Sequence, residues 1–391
     1  MIYNFEFVKK NNITSLIGEE FNEQELVEKL ADDSVENKEL QSAVMNILSG
    51  LRNQIAEHCR LEKICFLFGN GTSIYAGSKS IDDDNFDYDK TLEDELLQLK
   101  DLFRGKSKEE QLNILLTFKK YFELTCNKNI SIVSEIISKI KNDLLNNYVN
   151  SIDYNKLIYH EILIRKLRNI NSLNKVKLFT TNYDLAFECS LDKLSIDYLN
   201  GFTGFVNRKF NIRSFQENGK IKLYKVHGSI NRKYENNDIV EKQPLIINGK
   251  LKDETCNNDI MIFPTSNKIE ETFNAPYSEL MREMLNILDT GSNVLFVLGY
   301  RYKDDHINDI LFKSLNNPNN IYYFFDYDNN DNNEFINKMI RLSESLSNIY
   351  ILRGKFFGDF SIFCNYIFPS SSRIENDESI IDLLKKIKDN E

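Results

Sequence analysis

Four short segments, each directly behind an apolar, β-rich run, constrain this chain more than any other feature of its sequence. They are Phe68-Gly69-Asn70-Gly71-Thr72-Ser73, Thr180-Thr181-Asn182-Tyr183-Asp184, Val226-His227-Gly228-Ser229, and Gly299-Tyr300 leading into Asp304-Asp305-His306-Ile307-Asn308. Each should sit at the carboxyl end of a strand, the edge of an open α/β sheet where ligands bind. Strand-like runs fall at 64–68, 176–180, 221–226, 260–263, 294–298, 321–325 and 349–352, and helical periodicity at 278–288, 304–315, 334–346 and 380–387. Such alternation predicts an α/β fold, a Rossmann-like and mainly parallel sheet with helices on both faces.

The remaining chain reads as helical. Residues 22–31 and 36–59 space apolar side chains by three and four, so the first sixty residues are expected to form helices. The same spacing returns over 91–168, through Leu92, Leu96, Leu97, Leu99, Leu112, Leu115, Leu116, Phe118, Phe122, Ile132, Ile136, Ile137 and Ile140. The expected organisation is an N-terminal helical segment at 1–60, a Rossmann core built from 61–90 and 171–391, and a helical insertion at 91–170.

Composition excludes several classes. A formal net charge of −10 argues against a duplex-binding surface, which needs clustered Lys and Arg to neutralise phosphates. The six cysteines, Cys59, Cys65, Cys126, Cys189, Cys256 and Cys364, form no Cys-x-x-Cys pair, which removes the usual zinc ribbon and any disulfide framework. Neither a signal peptide at Met1 nor a membrane-length apolar window is present, so a cytoplasmic protein with no membrane contact is expected.

Each segment has a chemical and a plain reading. A strand followed by Gly-x-Gly and a helix start lets backbone N–H groups meet a pyrophosphate. Gly69 would permit the turn, Gly71 the close approach, and Thr72 and Ser73 would add hydroxyl donors. The third glycine of that pattern is replaced by Ile74, and an ordinary βα turn is the alternative. The stretch Gly77-Ser78-Lys79-Ser80 imitates an ATP-binding P-loop, but its spacing from Gly71 is one residue too long and Ser78 precedes the lysine. Asn182 can hold a water or a ribose hydroxyl with both a donor and an acceptor, whereas Asn182 and Asp184 could also simply cap the next helix. His227, one of only four histidines, stands between an apolar strand and a glycine, and a neutral imidazole there can accept a proton. Gly299-Tyr300 with His306 could reach a second ribose, against helix capping by Asp304 or Asp305.

Together these segments resemble the sirtuin-like, silent-information-regulator type of NAD-consuming domain. The glycine turn, Thr181-Asn182-Tyr183-Asp184 and His227-Gly228 carry the likeness. A bacterial branch is approached further by Gly299-Tyr300-Arg301-Tyr302-Lys303-Asp304-Asp305-His306-Ile307-Asn308 and by Pro264-Thr265-Ser266-Asn267-Lys268. The chain departs from family deacylases in lacking their four zinc-binding cysteines, and Asn85-Phe86-Asp87 poorly replaces their Asp-Phe-Arg element. The zinc-less branch is associated with NAD hydrolysis in antiphage defence, often beside a HerA-like hexameric ATPase.

The resemblance implies NAD as substrate, no metal, and a catalytic pair in which Asn182 positions water or ribose hydroxyls and His227 is the general base. Gly69, Gly71, Thr72 and Ser73 would cradle the pyrophosphate, while Thr181, Asp184, Gly228, Gly299, Tyr300 and His306 would complete the nucleotide site. A non-catalytic NAD or ADP-ribose sensor, a deacylase, a cyclase and an ADP-ribosyltransferase are the alternatives. The amphipathic segments exceed what one sheet face needs, so a homo-oligomer larger than a dimer is expected. Any contact with nucleic acid would be indirect.

Overall fold

The computed structural model describes residues 6–9, 12–15, 48–60, 63–79, 102–103, 108–169, 175–206, 208–236, 238–252, 275–327 and 333–370. Its centre is a nine-stranded sheet. The strands are β1 (Glu6–Lys9), β2 (Asn12–Ser15), β3 (Lys63–Phe68), β4 (Val176–Thr180), β5 (Tyr198–Leu199), β6 (Ile221–Lys225), β7 (Asn293–Leu298), β8 (Ile321–Asp326) and β9 (Ile349–Arg353). In space they run β2-β1-β9-β8-β7-β3-β4-β6-β5.

From β9 across to β5 every pairing is parallel. The sequence explains this arrangement. Strands such as Ile64-Cys65-Phe66-Leu67-Phe68 and Val294-Leu295-Phe296-Val297-Leu298 are apolar at every position, and all of these residues are buried. Only a sheet covered on both faces accepts such runs. One face packs against α1 (48–60), α4 (Ile158–Asn169) and α5 (Ala186–Lys193). The other packs against α6 (Tyr277–Asp289), α7 (Asp305–Ser314) and α8 (Glu334–Ser343).

Strand β3 is where the winding reverses. The chain leaves it for β4 on one side and returns to its other side as β7. A crevice therefore opens at the carboxyl ends of β4, β3 and β7, the place where open α/β sheets hold ligands.

Two sequence expectations are changed, and one sheet had no counterpart in the sequence reading. The reading of the first sixty residues as helical holds for 48–60, but Glu6–Lys9 and Asn12–Ser15 are strands, an antiparallel hairpin that extends the sheet from β9. The fully buried β9 would otherwise present an unpaired backbone edge, which the hairpin covers; the helical spacing lies beyond it, at 22–31 and 36–59. The insertion forms its own core around α2 (Lys108–Leu124) and α3 (Ile130–Leu145), but α4 leaves it: Leu163, Ile164 and Leu167 pack with Ile64 and Phe66 of the central sheet. A four-stranded antiparallel sheet formed by Phe202–Thr203, Arg208–Phe210, Asp238–Glu241 and Arg232–Glu235 gives no periodic signal, because its strands are only two to four residues long. The elements expected at 22–31, 92–99, 260–263 and 380–387, with Asn85-Phe86-Asp87, Cys256 and Pro264 to Lys268, lie outside the described residues.

Candidate active site

The glycine turn is built against another turn. Gly69 N–H donates to Leu298 O and Gly71 N–H to Gly299 O, each at 3.0 Å. A Cβ on Gly69 would lie 2.5 Å from Gly299 O, and one on Gly71 would lie 2.7 Å from Gly299 Cα. Gly299 itself adopts φ 62°, in the left-handed region where a side chain is strained. The glycines therefore allow two backbone turns to touch, a packing reason for Gly71 that stands beside the expected close approach of a pyrophosphate.

The helix expected behind the turn is also absent. Asn70–Thr72 and Ile74–Ala76 form two short 3₁₀ turns instead. Nor do the two hydroxyls serve as free phosphate donors. Thr72 Oγ1 donates to Gly69 O and Ser73 Oγ to Asp184 Oδ2, both at 2.8 Å, and both residues are fully buried.

These commitments orient Asn182. With their protons already given away, Thr72 Oγ1 and Ser73 Oγ can only accept, and Asn182 Nδ2 donates to them at 3.3 and 3.2 Å. The amide is thereby fixed, with its oxygen on the opposite side. That oxygen, Oδ1, is buried and has no hydrogen-bond partner among the described residues. A buried carbonyl left unmatched costs roughly 1–3 kcal/mol, so it marks a place where a donor absent from the described residues fits.

Asp184 supports this arrangement from behind. Its Oδ1 accepts from Ala186 N–H at the start of α5, which gives substance to the capping alternative, and its Oδ2 takes the Ser73 hydroxyl. Burial pushes its carboxyl above the ordinary range, opposed by the Lys225 charge and by those hydrogen bonds. The fully buried Lys225 ammonium donates to the Tyr183 and Asp184 carbonyls and pairs with Glu188 at 3.2 Å. Asp184 thus borders the cleft while its carboxylate braces the glycine turn against the end of β4.

His227 follows β6 and turns on Gly228, whose φ is 97°. Its Nε2 lies 2.8 Å from Nε2 of His306, on the first turn of α7. Asp304, expected as a possible cap of α7, makes no side-chain capping bond there; its carbonyl accepts from the N–H groups of Ile307 and Asn308 and from the Tyr300 hydroxyl.

A cleft of about 520 Å³ joins these parts. Of the residues expected from sequence, Gly69, Gly71, Thr181, Asn182, Asp184, His227, Gly299 and Tyr300 line it, whereas Thr72, Ser73, Gly228 and His306 are not among its lining residues. Sequence reasoning missed the far side. Tyr75 and Tyr159 form an aromatic wall with Phe360, and Asp326 lies at the end of β8, paired with Arg353 at 3.3 Å. Arg301 and Lys303 bring cationic side chains to the same cleft. A signal for Asp326 existed, a lone carboxylate closing an apolar run; Tyr159 and Phe360 lie on distant helices and gave none.

Behind the aromatic wall, His160 is fully buried with Nδ1 2.6 Å from the Tyr75 hydroxyl, and burial lowers its pKa to about 3. No group of three or more His, Cys, Asp or Glu among the described residues is placed to hold a metal.

The fold and cleft define a doubly wound α/β protein with a ligand crevice at its switch point. Residues 176–343 match the family model described as a SIR2-like domain. That stretch contains Asn182, His227, Gly299 and His306; the glycine turn lies before it in sequence and joins it through the pairing of β3 with β4 and β7. Among solved structures, two mutant forms of a Sir2 homologue, both titled as ADP-ribose complexes, are similar. One has a TM-score of 0.37 at 10% identity and the other 0.35 at 11%, and each match covers 86% of this chain and 98% of that one. No curated protein matches the chain.

Proposed function

We propose that this chain is an NAD glycohydrolase, cleaving NAD to nicotinamide and ADP-ribose. The observation that carries the reading is Asn182: its amide nitrogen is locked by two committed hydroxyls while its buried oxygen faces no partner, beside His227 in one cleft. The cleft volume lies within the range of small-molecule sites.

The chemistry asks little beyond what these residues supply. The bond from ribose C1′ to the nicotinamide nitrogen breaks and its electron pair leaves with nicotinamide. Water oxygen bonds to C1′, and its surplus proton passes to His227 before reaching solvent. Asn182 Oδ1 accepts from the attacking water or a ribose hydroxyl and so fixes its position, a gain of orientation rather than of covalent catalysis. Arg301 and Lys303 supply the positive charge that a pyrophosphate needs.

The motif likeness to the zinc-less bacterial branch supports a role in antiphage defence through NAD depletion, with a HerA-like ATPase as partner. Exposed apolar side chains at the end of α2 of the insertion, Tyr121 and Leu124, support self-association into an oligomer larger than a dimer. Incubating the purified chain with NAD, alone and with the candidate ATPase, and resolving nicotinamide, ADP-ribose and cyclic product tests the activity. Binding of NAD without turnover under every condition would favour the sensor reading, and a cyclic product would favour a cyclase.

A further inference from the structure

We propose that His306 is a positioning residue for His227, holding the tautomer and ring orientation of the base and stabilising the cation it forms; this rests on the glycohydrolase reading above. The two Nε2 atoms lie 2.8 Å apart. At that separation one nitrogen must carry a proton and the other must offer a lone pair, because two N–H groups or two lone pairs would repel. The pair therefore accommodates at most one extra proton. When His227 takes the proton released by water at its Nδ1, the only nitrogen of that ring then left with a lone pair, its Nε2–H donates to the Nε2 lone pair of His306. The charge that forms on a nearly buried ring then acquires an acceptor at no further reorganisation.

The surroundings favour this division of labour. His227 lines the cleft and is 4% exposed, whereas His306 lies outside the lining and only partly buried, on the first turn of α7. The two residues are 79 positions apart. They meet because β6 and α7 present their ends to the same edge of the sheet. The ring planes are inclined by 42° with centroids 5.0 Å apart, a hydrogen-bonding approach rather than a stack. Orienting partners of this kind fix which nitrogen of a catalytic imidazole faces the reaction.

The test uses the full chain and four proteins: parent, His227→Ala, His306→Ala and His306→Gln. His306→Ala should lower kcat on the order of 10- to 100-fold, part of the roughly 10²–10⁴-fold that a general base contributes, with KM nearly unchanged because His306 does not line the cleft. His306→Gln, which restores a hydrogen-bonding group near the same place, should recover most of that loss. In ¹⁵N-labelled protein, with only four histidines to assign, a through-hydrogen-bond coupling between the two Nε2 atoms should be visible in the parent and absent in both His306 variants.

Parental kcat in a folded His306→Ala protein, while His227→Ala is inactive, overturns the proposal and leaves the glycohydrolase reading intact. A shared loss with no rescue by Gln and no nitrogen–nitrogen coupling also overturns it. Parental turnover in His227→Ala instead removes the reading beneath it.

Discussion

Replacing Gly71 with alanine separates two explanations for the glycine turn. If Gly71 exists to admit a phosphate, the variant should fold as the parent does and lose affinity. The contact with Gly299 argues otherwise. The added methyl would sit 2.7 Å from Gly299 Cα and 3.0 Å from its carbonyl oxygen, both backbone atoms without a rotamer to escape into. Ordinary carbon–carbon contact begins near 3.5 Å, so the two turns must part by roughly 0.8 Å.

That movement also stretches the Gly71 N–H bond to Gly299 O, now 3.0 Å, out of useful range. Overpacking of this kind costs about 1–3 kcal/mol and the weakened bond about 0.5–1.5, while reduced freedom of the unfolded chain returns about 0.4–1. A net loss of about 2–3 kcal/mol is expected, read as a lower urea midpoint at unchanged slope. Gly50→Ala is the control: Gly50 lies inside helix 48–60 with nothing within 4 Å of the added carbon, so this change should stabilise by about 0.5–1 kcal/mol. A Gly71→Ala protein within about 0.5 kcal/mol of the parent, yet unable to bind NAD, would refute the packing argument.

Further outcomes are expected. Asn182→Ala and His227→Ala should each lose on the order of 100-fold or more in NAD turnover, with the double variant well short of the product, since both act on one ribosyl centre; multiplicative losses in steady-state rates would separate their roles. Stability should also depend on His160, whose folded pKa of about 3 lies below the ordinary 6.5. The unfolded chain takes up this proton first, so the contribution is complete above about pH 6.5 and is lost as pH falls toward about 3, at up to about 1.4 kcal/mol per pH unit. Urea curves for parent and His160→Phe should therefore diverge across that window, and parallel curves would contradict the burial argument. Light scattering at micromolar concentration should report an assembly larger than a dimer, and a monomer would count against self-association through the insertion.

The parallel sheet and the edge at which the candidate cleft opens were legible in the sequence for a simple reason. Strands buried on both faces must be apolar throughout, as in 64–68 and 294–298, and polar residues stopping such a run mark the edge where a crevice opens. Asn182 and His227 each stand just past the end of a mostly buried strand that carries lysines among its apolar residues, and both line the cleft.

What the sequence did not carry was anything depending on a partner distant along the chain. Short-range spacing cannot reveal that Gly71 faces Gly299, that Thr72 and Ser73 spend their hydroxyls on Gly69 and Asp184, or that His306 meets His227. Nor could helical spacing in the first sixty residues anticipate a hairpin drawn onto β9, because the demand for pairing came from an edge more than 300 residues away. Local chemistry chose the residues, and tertiary packing decided which of their atoms remain available for a ligand. A hydroxyl or amide has few bonds to give, and only the fold determines which neighbours take them first.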